Sequence, residues 1–107
     1  MRKIQIDNDE HQEFVVPFEG NNVNIVMNFR QGSWFMSVSY KNKAVNGIRV
    51  ASAVLLLMGL NLPFDIIVDD KNLLTDPFSV DSFSSGLFDF YFIDRYELAE
   101  LRGYKVE

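Results

Sequence analysis

The 107-residue sequence contains no cysteine, which excludes disulfide bridges, thiolate nucleophiles and zinc sites of the cysteine type, and suits folding in a reducing cytoplasm. Its six glycines all stand singly, leaving neither a phosphate-binding loop nor a dinucleotide fingerprint. Basic residues are too few and too scattered for a phosphate-binding surface: ten Lys and Arg against fifteen Asp and Glu give a net charge of −5. Nucleic-acid affinity comes from clustered cations, so a nucleic-acid partner is not expected. Long hydrophobic runs are also missing. The most apolar stretch, "ASAVLLLMGL", has ten residues, too few to cross a bilayer. The opening "MRKIQIDNDEHQEF" turns polar and acidic after Ile6 and has no signal-peptide core. A soluble protein made inside the cell, without a membrane partner, is expected.

Aromatics, by contrast, are plentiful. They form 14% of the chain, ten of them phenylalanine, enough for an aromatic-rich core to offset the chain entropy of one domain. Period-two alternation is the dominant pattern. In "VNIVMNF", Val23, Ile25, Met27 and Phe29 share one side; after the turn "RQGS", "WFMSVSY" places Trp34, Met36, Val38 and Tyr40 inward and Phe35, Ser37 and Ser39 outward. The two read as a hairpin. "EFVVPF" offers Phe14, Val16 and Phe18 on one face, and Pro17 suggests an edge strand because it cannot donate to a ladder.

"KNKAVNG" carries turn residues, notably Asn46-Gly47, so the next strand is expected to begin near Ile48. The apolar run over 51–60 fits a short buried strand or a buried helical turn equally. "FDIIVDD" alternates Phe64, Ile66 and Val68 against Asp65, Ile67 and Asp69; "LFDFYFID", apolar on both sides, predicts a strand that is central or lies under a partner. Between them, "TDPFSVDSFSSG" predicts a loop with at most one helical turn. Residues 95–107 look helical, with Gly103 as a candidate stop. The expected fold is all-β: a small antiparallel β-sandwich or barrel of six to seven strands with a short C-terminal helix, one domain over 1–107 with its core at about 4–94.

Catalytic constellations are weak. The lone histidine, His11, stands among Asp7, Asp9, Glu10 and Glu13 and reads as a solvated surface group. Asp65 and Asp69, on one strand face, project about 13 Å apart, and Asp69-Asp70-Lys71-Asn72 reads as a strand end and turn, with a weak calcium site near Asp69 and Asp70 as the alternative. Ser79, Ser82, Ser84 and Ser85 lack a nucleophile elbow, and the one histidine is distant in sequence. No catalytic residue, metal ligand or cofactor site is assigned, and an enzyme is not expected. Phe35, with Phe88, Phe90 and Phe92 opposite Tyr91, supplies more apolar surface than a two-layer core of this size obviously needs. Either the core is fuller or these residues form a subunit contact.

The serial order "HQEFVVPFEGNNVNIVMNF", "GSWFMSVSY", "NGIRVASAVLLL", "NLPFDIIVDD", "DPFSVDSF" and "LFDFYFI" resembles the baseplate plug proteins of contractile-tailed bacteriophages and prophages, the cyanophage-type plug, over residues 4 to 94. The turn "KNKAVNG" is poorer in glycine than that pattern, and the tail after Asp94 is longer. The resemblance implies a non-enzymatic part of the virion tail, made in the host bacterial cytoplasm, which fills or organises space around the hub and spike. It implies other baseplate and tail hub proteins as partners, with a homo-oligomer as a further option. Trp34 is then the core anchor, and Phe35, Phe88, Phe90 and Phe92 are the candidate interface. The alternative is a small carbohydrate- or peptide-binding β-sandwich in which Trp34, Tyr40 and Tyr91 stack on a ligand.

Overall fold

Seven strands and one helix form in the computed structural model, which describes residues 1–101: β1 (Arg2–Ile4), β2 (His11–Phe18), β3 (Asn21–Arg30), β4 (Ser33–Tyr40), β5 (Lys43–Arg49), β6 (Asp65–Asp69), β7 (Asp89–Ile93) and α1 (Arg95–Leu101). They make two antiparallel sheets, a four-stranded one ordered β2-β3-β4-β5 and a three-stranded one ordered β1-β7-β6. The arrangement is a sandwich and not a closed barrel.

The four-stranded sheet is a meander of two-residue hairpins. Glu19-Gly20 and Gln31-Gly32 both take positive φ at both positions, the backbone twist that matches paired strands. Inward residues alternate as the pattern predicts: Val23, Ile25, Met27, Trp34, Met36, Val38 and Tyr40 are all buried. Pro17 lies on β2, which is an edge strand, where a missing N–H costs no ladder bond.

Asn46-Gly47 is not a turn. The β4-β5 turn is Lys41-Asn42, and β5 begins at Lys43. Met36 pairs with Ile48 and Val38 with Val45, so Asn46 and Gly47 together oppose Ser37 in a β-bulge, with Gly47 at φ 72°. The same preference for positive φ that marks a turn serves the bulge. Strand β1 carries no alternation long enough to read from three residues; its register against β7, Lys3 opposite Tyr91, defines it instead.

The run at 51–60 is neither strand nor helix. It is a strap of turns along the free edge of β6: Ala53 N–H donates to the Val68 carbonyl at 2.9 Å and Leu56 N–H to the Ile66 carbonyl at 3.0 Å. The buried Asp65 carboxylate fixes it, with Oδ1 accepting from the backbone N–H of Leu57 and of Ile66, both at 2.7 Å. Leu57 is thereby sunk into the core.

Strand β7 is central, the first of the two positions expected for it. The helix starts by a capping box: Asp94 Oδ1 accepts the Glu97 N–H at 2.9 Å and Glu97 Oε1 accepts the Asp94 N–H at 3.2 Å. Leu98 is buried, and Arg95 holds Glu19 of the β2-β3 turn through two hydrogen bonds at 2.8 and 2.9 Å, so the helix docks on its own domain. The expected stop at Gly103 lies outside the described residues.

Candidate functional site

Strand alternation and sheet pairing together decide which aromatics face outward. Phe88, Phe90 and Phe92 do not: each is at most 2% exposed, the Phe90 and Phe92 rings meeting the opposite sheet and the Phe88 ring meeting Phe78 and Phe83 of the β6-β7 excursion. Phe92 meets Phe18 at 5.7 Å and stacks on Phe64 at 5.2 Å, and Phe90 meets Phe14 at 6.3 Å. The candidate interface therefore loses these three to the core, because two sheets with aromatic inner faces need that many rings to fill the gap between them. Phe35 alone stays half-buried on the outside of β4, with the Arg30 guanidinium 4.6 Å from its ring centre.

Trp34 is wholly buried, against Phe29 at 5.3 Å and Phe83 at 5.8 Å. Its indole N–H donates to the Ser79 carbonyl at 3.0 Å. One side chain thus ties the four-stranded sheet to the loop that precedes β7, a link that neither residue announces in the sequence. Tyr40 is buried too, and of the three rings offered to a stacked ligand only Tyr91 remains half-exposed.

Registers across the four-stranded sheet define its outer face. Outward rows run His11, Asn28, Phe35, Arg49; then Glu13, Val26, Ser37 and the bulge; then Val15, Asn24, Ser39, Ala44. In these rows the middle strands contribute small amides, hydroxyls, Val26 and Phe35, and the charged side chains stand only on the two edge strands; Arg30, at the end of β3, lies over Phe35. A hollow of about 120 Å³ lined by Asn24, Val26, Ser37, Ser39 and Asn46 occupies the centre. Val15, 51% exposed, extends the neutral area to one edge. Loss of charge from the centre of a patch is the compositional mark of protein interfaces.

The outer face of the three-stranded sheet differs. One end is covered, with Asp65 and Ile93 fully buried; the other is a groove of about 440 Å³ lined by Met1, Ala53, Ile67, Asp69 and Tyr91. Beside it Asp89 lies between Lys3 at 3.3 Å and Lys71 at 3.4 Å.

His11 is exposed on β2, with Nδ1 facing Asn28 Oδ1 at 2.6 Å and Nε2 facing Glu13 Oε2 at 3.1 Å, both oxygens being acceptors of a ring N–H. The Asn28 contact first, and Glu13 second, raise its pKa above the ordinary 6.5. The Arg95 guanidinium holds Glu19 below its ordinary value. The carboxylates of Asp69 and Asp70 accept backbone N–H groups of their own turn, from Lys71 at 3.0 Å and from Asn72 and Leu74 at 3.1 Å each. Ser82 is buried, its hydroxyl accepting from the Phe78 and Ser79 N–H groups. Among the described residues no group of three or more His, Asp or Glu is placed to hold a metal ion.

That same turn presents what the sequence reading passed over. Leu74 is 89% exposed, and Leu73, Phe78 and Leu87 are each more than two-fifths exposed. Apolar residues in a loop signal core or interface equally, so only their exposure distinguishes them.

Comparison with known proteins completes this picture. No curated protein matches the chain significantly. A family model described as "Cyanophage baseplate Pam3 plug gp18" matches residues 1–95, every strand of both sheets and none of the helix beyond its first residue. The chain belongs to this family of phage baseplate plugs, structural components of the virion tail.

Proposed function

We propose that the protein acts by protein–protein contact alone, as a plug subunit whose neutral outer sheet face, centred on Ser37 and Asn24 and bordered by Phe35, seats against other baseplate or tail hub proteins. The observation that carries this reading is the absence of charge from the central rows of the two middle strands, Asn24, Val26, Asn28, Ser37 and Ser39, in a chain with 23% charged residues; the one charge those strands carry on this face, Arg30, stands at the end of β3 over Phe35. A sheet face of short uncharged side chains gives contact area with little desolvation of charge and little side-chain entropy to lose. Synthesis in the host bacterial cytoplasm precedes incorporation, and a ring of identical subunits using this one patch is compatible with the symmetry of a tail axis.

The test is mass spectrometry of purified tail particles carrying the wild-type chain or Ser37→Arg. Wild-type protein in fixed ratio to tube and sheath, with the variant folded in isolation but depleted from particles, is expected. Equal incorporation of Ser37→Arg removes the sheet face from the contact, and absence of the wild-type chain from tails removes the plug reading itself.

A further inference from the structure

The excursion from β6 to β7 leaves and re-enters the three-stranded sheet at one end, since Asp69 and Asp89 are paired across the ladder. It carries four of the nine large apolar side chains left exposed among the described residues: Leu73, Leu74, Phe78 and Leu87. Its tip is built at a conformational cost. Lys71, Asn72 and Leu74 all take left-handed φ, at 51°, 70° and 58°, where side chains with a Cβ are strained. Asp70 holds them there by accepting the N–H of Asn72 and of Leu74 on its two carboxylate oxygens, while its carbonyl accepts from Leu73 at 2.9 Å. A second fastening is the Asp76 carboxylate, which accepts from Ser52 N–H at 2.9 Å and Arg49 at 3.2 Å.

Within its own chain this fastening buries almost nothing of Leu74. It does remove the ordering cost that a flexible loop meets on binding, which is how a contact residue is pre-organised. The charge around the tip is acidic in balance. Residues 69–89 contain five aspartates and a single lysine; Asp89 is paired with Lys3 and Lys71 and Asp76 with Arg49, and the acidic side chains that remain beside the tip are Asp69, Asp70 and Asp81. That lysine, Lys71, is turned to Asp89 and to the Gly86 carbonyl at 2.6 Å.

We propose that this loop is a second docking element, with Leu74 as its anchor, which inserts into an apolar pocket rimmed by Lys and Arg on a different tail protein. Apolar insertion supplies affinity and the acidic rim supplies orientation and rate. The inference rests on the plug reading above but uses the opposite sheet and a different chemistry from the neutral face.

The test places a photo-cross-linking amino acid at position 74 of the full chain within assembled tails, beside Leu74→Ser and wild-type controls. The expected result is a cross-link from position 74 to another tail protein at a site bearing Lys or Arg. Leu74→Ser is expected to keep the wild-type melting midpoint, because the side chain is exposed, yet to lower incorporation about tenfold, as loss of a hot-spot side chain does. Wild-type chain present in tails with Leu74→Ser incorporated equally, or with cross-links only to a second copy of this chain or to an acidic site, overturns the loop proposal and leaves the plug reading intact. Wild-type chain absent from tails overturns both.

Discussion

The four-stranded sheet joins each strand to the next by a two-residue turn, whereas the three-stranded sheet gathers residues 2–4, 65–69 and 89–93 from across the chain. The first is a local structure whose register its turns dictate. The second has no hairpin of its own and depends on long connections being held down one by one: the strap by Asp65, the excursion by Asp70 and Asp76, the β7 approach by the Trp34 indole. Carboxylates and one N–H do in the second sheet what tight turns do in the first. The difference teaches that buried or part-buried polar groups in this molecule serve as fasteners.

Trp34 sits where the two halves meet, so its removal should have the largest effect. Trp34→Ala is expected to destabilise by about 3–5 kcal/mol, the cost of emptying a large aromatic site, read from denaturant unfolding. Loss of well under 1 kcal/mol would show that the sheets hold without it. Next comes Asp65→Ala, which strips the acceptor from two buried N–H groups and should cost roughly 1–3 kcal/mol. Amide exchange sharpens the comparison: residues 53–57 should lose protection first while the β2-β3-β4 hairpins keep theirs, and uniform loss would make the two sheets one cooperative unit.

Gly47→Ala tests the local half. No atom lies within 4 Å of the added methyl, so the expected loss of about 1–2 kcal/mol is conformational, and Gly47→Asn should recover part of it. A neutral Gly47→Ala would mean that the bulge shifts register without cost.

The smallest effects are those of pH on the exposed pairs. Glu19 has its pKa lowered by Arg95, so its stabilising contribution is present above the ordinary value of 4.5 and is lost as pH falls through the lowered folded value. His11 has its pKa raised, so its contribution is present below 6.5 and is lost as pH rises through the raised folded value. Thermal midpoints across pH should show a slight acid-side loss absent from Glu19→Gln and a slight neutral-side loss absent from His11→Gln. Matching profiles for wild type and variant would remove either pair from the stability of the fold.

How much of this was legible followed the same divide. Alternation in residues 23–40 marked the inward set of β3 and β4 because period-two burial and two-residue turns are local signals. The all-β class was legible for the same reason, with sandwich and barrel left open until the two separate sheets decided it; Pro17 marked an edge by its missing N–H, and the apolar flanks of β7 fitted a central strand or one under a partner. Strand β1 was not, since three residues carry no period, and the strap over 51–60 was not, since its apolar density reflects packing against a sheet edge by backbone hydrogen bonds that only the partner strand reveals. Asn46-Gly47 signalled positive φ correctly, but a bulge and a turn share that need. At the candidate site, an aromatic strand with apolar residues on both sides could mean core or contact, and the pairing of two aromatic inner faces assigned Phe88, Phe90 and Phe92 to the core while leaving Phe35 outside. Leu74 gave no signal beyond its type, because exposure depends on an Asp70 turn geometry that has no fixed motif.

The strap along β6 has a further consequence, for how copies could meet. An uncovered strand edge invites another chain to pair with it and the next chain after that, without end. Here β6 is closed by the backbone of residues 53–56, β2 bears Pro17, β5 is bent by its bulge, and β1 is three residues long. With each edge blunted, the described residues offer no ready template for open-ended strand pairing between copies, so a contact between copies would have to use side-chain faces and not sheet edges.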